Sequence, residues 1–151
     1  MAGFTWRYNI SGGRPLSLTY LMKNTETLTK GDLLTMDTGE MDLAATNDTL
    51  FAGAFDGPED PTDAVDGSPG TVAGTDSTTL VKAIVNPDAV YGSADANARL
   101  AGVNLDISGA TGAQAIATDS NSDFLTLERK RQNADETRVM FAPGEHFLNP
   151  N

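Results

Sequence analysis

Cysteine is missing from this sequence, so disulfide bridges, thiolate metal sites and thiol nucleophiles are excluded. Histidine occurs once, at His146. A His-rich metal centre within one chain is therefore ruled out, and any Ser-His-Asp arrangement would rest on that single residue. No run approaches the ~20 apolar residues needed to cross a bilayer. The opening stretch MAGFTWRYNISGGRP has no basic region leading into an apolar one, so neither a signal peptide nor a membrane anchor is expected. Positive charge is scarce as well: Lys and Arg total 10 against 21 Asp and Glu, a net charge of -11. That balance argues against gripping a phosphate backbone, so no nucleic-acid partner is expected.

The placement of the charge says more than its size. No cation lies between Lys30 and Lys82, whereas carboxylates run through that interval from Asp32 to Asp76. Before Lys30 the order reverses, with Arg7, Arg14 and Lys23 against Glu26 alone. A basic N-terminal segment and an acidic middle imply two faces with different neighbours.

The 151 residues suit one domain, which at this size buries roughly two-thirds of its unfolded surface. Phe4, Trp6, Tyr8 and Ile10 alternate with polar residues, and Leu16, Leu18 and Tyr20 repeat the pattern after Gly12-Gly13. Such alternation suits an extended segment with one apolar face. It is either the first strand of the domain or an arm that reaches onto a partner. We take residues 1–27 as an extended N-terminal arm, because Trp, Tyr and Arg are the residues interfaces favour. Its candidate contact residues are Trp6, Arg7, Tyr8, Arg14 and Tyr20.

From Lys30 onward the pattern becomes short strands punctuated by turns. Strands are expected at Leu33–Met36, Met41–Ala45, Leu50–Phe55, Thr79–Val85, Ala89–Gly92, Leu100–Ile107, Ala113–Thr118, Phe124–Glu128 and Thr137–Phe141. Asp37-Thr38-Gly39-Glu40 reads as a hairpin turn. Arg129–Glu136 reads as a charged hairpin tip, and only Ala94–Ala101 suits a helical turn. Residues 56–77 hold three prolines and four glycines with few large apolar groups, and read as a long acidic loop. Strands this short and frequent indicate a β-barrel or sandwich.

Chemistry-bearing motifs are weak. Leu33–Gly39 resembles the Asp-Thr-Gly signature of aspartic proteases over seven residues, but Glu40 follows where that family has a small side chain. The acidic loop lacks the Asp-x-Asp-x-Asp-Gly spacing of a calcium site. Arg129, Lys130, Arg131 and Arg138 form the one basic cluster outside the N-terminus, without interleaved aromatics. His146 reads as a surface or partly packed residue. No catalytic site, metal or cofactor is expected.

Several segments together carry a family cadence: Lys30-Gly31-Asp32-Leu33-Leu34-Thr35-Met36-Asp37, Ala44–Asp48, Leu50–Ala54, Ala98–Ile107 and Phe141–His146. Over about residues 28–148 the chain resembles the small head-decoration, or cement, proteins of tailed bacteriophages. The resemblance implies an all-β fold, a small β-barrel of β-tulip (SH3-like) type over 28–151, with the acidic loop at 56–77 and the arm at 1–27 as additions. It also implies a virion protein on the outer surface of the capsid, bound to the major capsid protein as a homotrimer at threefold and quasi-threefold positions. Such proteins clamp capsid subunits against the pressure of packaged DNA and have no catalytic residues. A tail or baseplate component, or a cell-surface adhesion module, is the alternative.

Overall fold

In a computed structural model the chain is all-β, organised around a closed five-stranded barrel. The structure describes residues 3–46, 48, 50–74, 78–95, 97, 100–118, 123–127 and 136–148. Its strands are β1 (Phe4–Asn9), β2 (Ser17–Met22), β3 (Thr27–Thr29), β4 (Leu33–Asp37), β5 (Glu40–Leu43), β6 (Phe51–Pro58), β7 (Ala64–Val65), β8 (Ser68–Ala73), β9 (Leu80–Ile84), β10 (Ala89–Ala94), β11 (Asn104–Ser108), β12 (Ala115–Thr118), β13 (Phe124–Thr126) and β14 (Glu136–Phe141). The barrel runs β2-β5-β4-β6-β9. Beside it lie a six-stranded sheet, β1-β10-β14-β13-β11-β12, and a small sheet, β3-β8-β7.

Two strands lack simple alternation because both of their faces are buried. In β4, Leu33 packs into a core shared with the six-stranded sheet, while Leu34 points into the barrel. The run Phe51-Ala52-Gly53-Ala54-Phe55 of β6 is divided in the same way: Phe51 and Ala54 join the shared core, Ala52 and Phe55 the barrel. A strand covered on both sides reads as a continuous apolar run. The shared core is aromatic. Phe51 and Phe141 stack at 5.0 Å, and Phe124 lies 5.7 Å from Phe141. Each such side chain, fully buried, contributes about 1.5–3 kcal/mol.

The N-terminal segment departs from the expected arm. β1 pairs antiparallel with β10, Phe4 opposite Ser93, and β2 pairs with β9, Ser17 opposite Ile84. Residues 4–9 and 17–22 are thus built into the two sheets, because Phe4 and Met22 each bury an apolar side chain in one of the cores. The expected acidic loop also holds structure. A short 3-10 turn at Pro61–Asp63, capped by Asp60, leads into the β7–β8 hairpin, and Val72 of β8 is buried in the barrel core. The expected hairpin tip lies largely at residues 128–135, outside the described residues. Of the expected helical turn at 94–101, residues 96, 98 and 99 lie outside them, and Ala94 instead ends β10.

Candidate functional site

The seam between barrel and six-stranded sheet fixes where surface residues sit. Lys30-Gly31-Asp32 forms a turn there: Gly31 has φ +101° and its carbonyl accepts from the Phe4 N–H at 2.7 Å. Asp32 is fully buried. Its carboxylate accepts from the N–H groups of Thr29 and Gly112, each at 2.8 Å, tying the barrel to a loop 80 residues away. Burial pushes this carboxyl above its usual range, and the two N–H donors oppose that shift. Gln114, also fully buried, accepts from the Leu33 N–H at 2.5 Å and donates to the carbonyls of Leu33 and Ala44 at 3.2 and 2.8 Å. It completes backbone hydrogen bonding where β4 leaves its own sheet.

His146 is buried at 3% exposure, not placed on the surface. One ring nitrogen, Nε2, lies 2.8 Å from the Ala52 carbonyl, and Nδ1 accepts from the Leu148 N–H at 3.1 Å. These partners together specify the neutral ring with its proton on Nε2. Burial lowers its pKa, with the Ala52 carbonyl opposing. The histidine closes the end of β6.

Of the five candidate contact residues, the structure gathers three on β1. A β-bulge between Trp6 and Tyr8 makes Arg7 the extra residue, and bulges re-aim side chains. Trp6 turns inward against the shared core and donates from its ring N–H to Asn9 Oδ1 at 3.0 Å. Arg7 and Tyr8 turn outward. Arg7 is ion-paired with Glu136, which also lies 3.5 Å from Arg138 Nε, and the Arg138 guanidinium sits 5.9 Å over the Tyr8 ring. Gly92 provides the room: a Cβ there would approach Glu136 Oε2 to 2.5 Å. The result is a half-exposed strip of two arginines, one carboxylate and one aromatic ring. Arg138 was legible as a cation, but Glu136 and Gly92 carried no signal of their own.

On the inner side of β1, Phe4, Thr5 and Trp6 line a cleft of about 450 Å³ with Phe55, Ile84 and Lys30. Its walls are largely apolar. Lys30 and Asp56, 3.9 Å apart, are its charged lining residues among the described residues.

The other two candidates lie elsewhere. Arg14 is exposed in the loop before β2, its carbonyl accepting from Asn9 Nδ2 at 3.1 Å. Tyr20 lies on β2 and packs edge-on against Phe147 at 6.0 Å. Asp37 of the protease-like motif ends β4 at a two-residue turn, Thr38 and Gly39 having φ of +49° and +91°. Lys23 Nζ donates to Asp37 at 2.8 Å and to Asp42 at 2.6 Å, and these bonds, Asp37's first, raise the lysine's pKa. A carboxylate fixed by an ammonium at a hairpin foot is an ion-pair anchor.

Asp123 is 1% exposed; its carboxylate accepts from the Ile107 N–H at 3.0 Å. Burial, with smaller contributions from Asp106, Glu145 and Asp48, pushes its pKa up to about 6. No protein-family model matches the sequence, and no curated protein matches it.

Proposed function

We propose that this chain is a capsid decoration protein, bound to the outer surface of a virus head and holding major capsid protein subunits together against the pressure of packaged DNA. The observation that carries the reading is the outward strip of β1 and β14, where Arg7, Tyr8 and Arg138 stand together on a sheet braced from behind by an aromatic core. Arginine and tyrosine anchors on a rigid element bind a protein surface with little ordering cost. The chain is otherwise strongly acidic, so this strip suits an acidic or apolar seam between capsid subunits.

The segments that resemble decoration proteins support the same reading in another way. Asp32, Gly53 and His146 all belong to those segments, and all serve the seam between the sheets. The resemblance therefore falls on the scaffold, and the contact strip lies outside the resembling segments. One small strip gives limited affinity, and copies standing as trimers at threefold positions gain attachment through effective concentration. The role is binding, without catalysis.

Heads lacking the protein test this directly. Adding the purified chain to DNA-filled heads is expected to raise the temperature at which they release DNA. An unchanged release temperature would overturn the stabilising role and turn attention to tail, baseplate or adhesion roles.

A further inference from the structure

Among the described residues, the ladder of the barrel opens between β2 and β5. β2 pairs with β9 along Ser17–Leu21, but meets β5 only at Leu21 and Met22. Beside Ser17–Tyr20 no described strand follows on the β5 side. Leu16 accepts from the Val85 N–H and Met22 donates to the Thr79 carbonyl, so the even residues bond toward β9. By the alternation of antiparallel ladders, Ser17 and Thr19 direct their N–H and C=O groups out of the open edge.

Natural edges are protected by lysine, proline, inward charge or bulges. Ser17, Leu18, Thr19 and Tyr20 carry none of these. Of its even side chains, Leu16 and Leu18 are apolar and unusually bare, at 47% and 40% exposure, while Tyr20 is half-buried against Phe147.

Two charges flank this edge. Arg14 stands before its start and Glu40 of β5 lies level with Leu21, just past its end. Neither side chain has an ion-pair partner among the described residues. We propose that the occupant is a second copy of this chain, its β2 added antiparallel about a two-fold axis through Leu18.

The edge is self-complementary in that register. Ser17 of each copy exchanges both backbone hydrogen bonds with Thr19 of the other, Leu18 faces Leu18, and Leu16 faces Tyr20. This is an isologous contact, in which one patch meets itself. Pro15, which has no N–H to place in a ladder, ends the shared segment before it reaches the partner's hairpin. There Arg14 of each copy meets Glu40 of the other, so two unpaired charges of opposite sign are matched twice. The contact goes beyond the proposed capsid role, since it forms in free solution. It is compatible with that role, because two-fold axes lie between neighbouring threefold positions.

The absence of cysteine makes the test clean. In the full chain, Leu18→Cys places one thiol at the axis, and Val65→Cys places one at an equally exposed site on the distant β7–β8 hairpin. Opposed residues at a non-hydrogen-bonded position lie about 4.5 Å apart at Cα, within disulfide reach. Leu18→Cys is expected to form a disulfide-linked dimer under mild oxidation at least about tenfold faster than Val65→Cys, because pairing raises the effective thiol concentration. Arg14→Glu in the Leu18→Cys background is expected to slow that reaction, and adding Glu40→Arg to restore it. Equal rates for the two cysteine variants would overturn the proposal, as would a charge reversal without effect or without rescue. A solution trimer with slow Leu18→Cys cross-linking would overturn it as well. Failure to bind heads leaves this contact standing, and the two readings fail separately.

Discussion

The seam between the two sheets and the outer faces beside it are made from the same short strands, yet they are held in different ways. At the seam, backbone and buried polar groups meet at fixed distances: Gly53 against Ile84 and Tyr91, Asp32 against Thr29 and Gly112, Gln114 against Leu33 and Ala44. On the outer faces, charges pair directly while still open to solvent, as Arg7 does with Glu136. Close packing without water makes each seam contact expensive to lose, whereas solvent takes over most of what an outer ion pair supplies. The seam therefore carries stability and the outer faces are free to carry recognition.

The sharpest way to break the seam is at Gly53. Its φ is +142°, and a Cβ would stand 1.7 Å from the Ile84 carbonyl oxygen, beside the buried Tyr91 hydroxyl. Gly53→Ala is expected to cost more than about 4 kcal/mol, beyond the usual range for a single substitution, or to prevent folding. Denaturant unfolding followed by tryptophan fluorescence measures it. Next comes Gln114→Ala, which strands the Leu33 N–H and the Ala44 carbonyl in a site closed to water. The expected loss is about 2–3 kcal/mol by the same measurement.

Much of the strand pattern was legible because one-sided burial shows as alternation and two-sided burial, as in β4 and β6, shows as a continuous apolar run between turn residues. β4, β5, β6, β9 and β14 fall within a few residues of their expected places, as does the Asp37–Glu40 turn. What escaped depends on partners far away in sequence. Nothing local distinguishes a free aromatic arm from β1, whose partner β10 lies some 80 residues on. The β7–β8 hairpin was hidden by its glycines, prolines and acidic residues. Asp32, Gln114 and Asp123 look like surface residues until their backbone donors and acceptors are found, and His146 looks no different from an exposed histidine.

Asp123 and His146 sharpen the comparison through pH, with opposite signs. The folded-state pKa of Asp123 is raised to about 6, so its contribution is present below the unfolded value near 4 and is lost as pH rises through 6. Asp123→Asn keeps an acceptor for the Ile107 N–H and is expected to stabilise the protein by about 2 kcal/mol at pH 7 while changing little at pH 4. The folded-state pKa of His146 is lowered, so its contribution is present above about 6.5 and is lost as pH falls through the lower folded value. Thermal unfolding across pH 4–8 separates the two.

Two smaller effects belong to the outer faces. Thr38 is β-branched yet has φ +49°. Thr38→Asn, the residue type favoured beside glycine in this kind of hairpin turn, is expected to stabilise by about 1 kcal/mol in chemical denaturation. Glu136→Gln removes the carboxylate between Arg7 and Arg138 and is expected to change stability by less than about 1 kcal/mol. A large loss there would show that the strip is structural, against its assignment to recognition.

Co-sedimentation of the purified chain with heads lacking it, counted as copies per particle, tests the central claim most directly. The account predicts saturation at a multiple of the threefold and quasi-threefold sites, and weakened binding for a folded Arg7→Glu, Tyr8→Ala double variant. Absence of binding to heads in every maturation state would contradict it, as would binding that the double variant leaves unchanged.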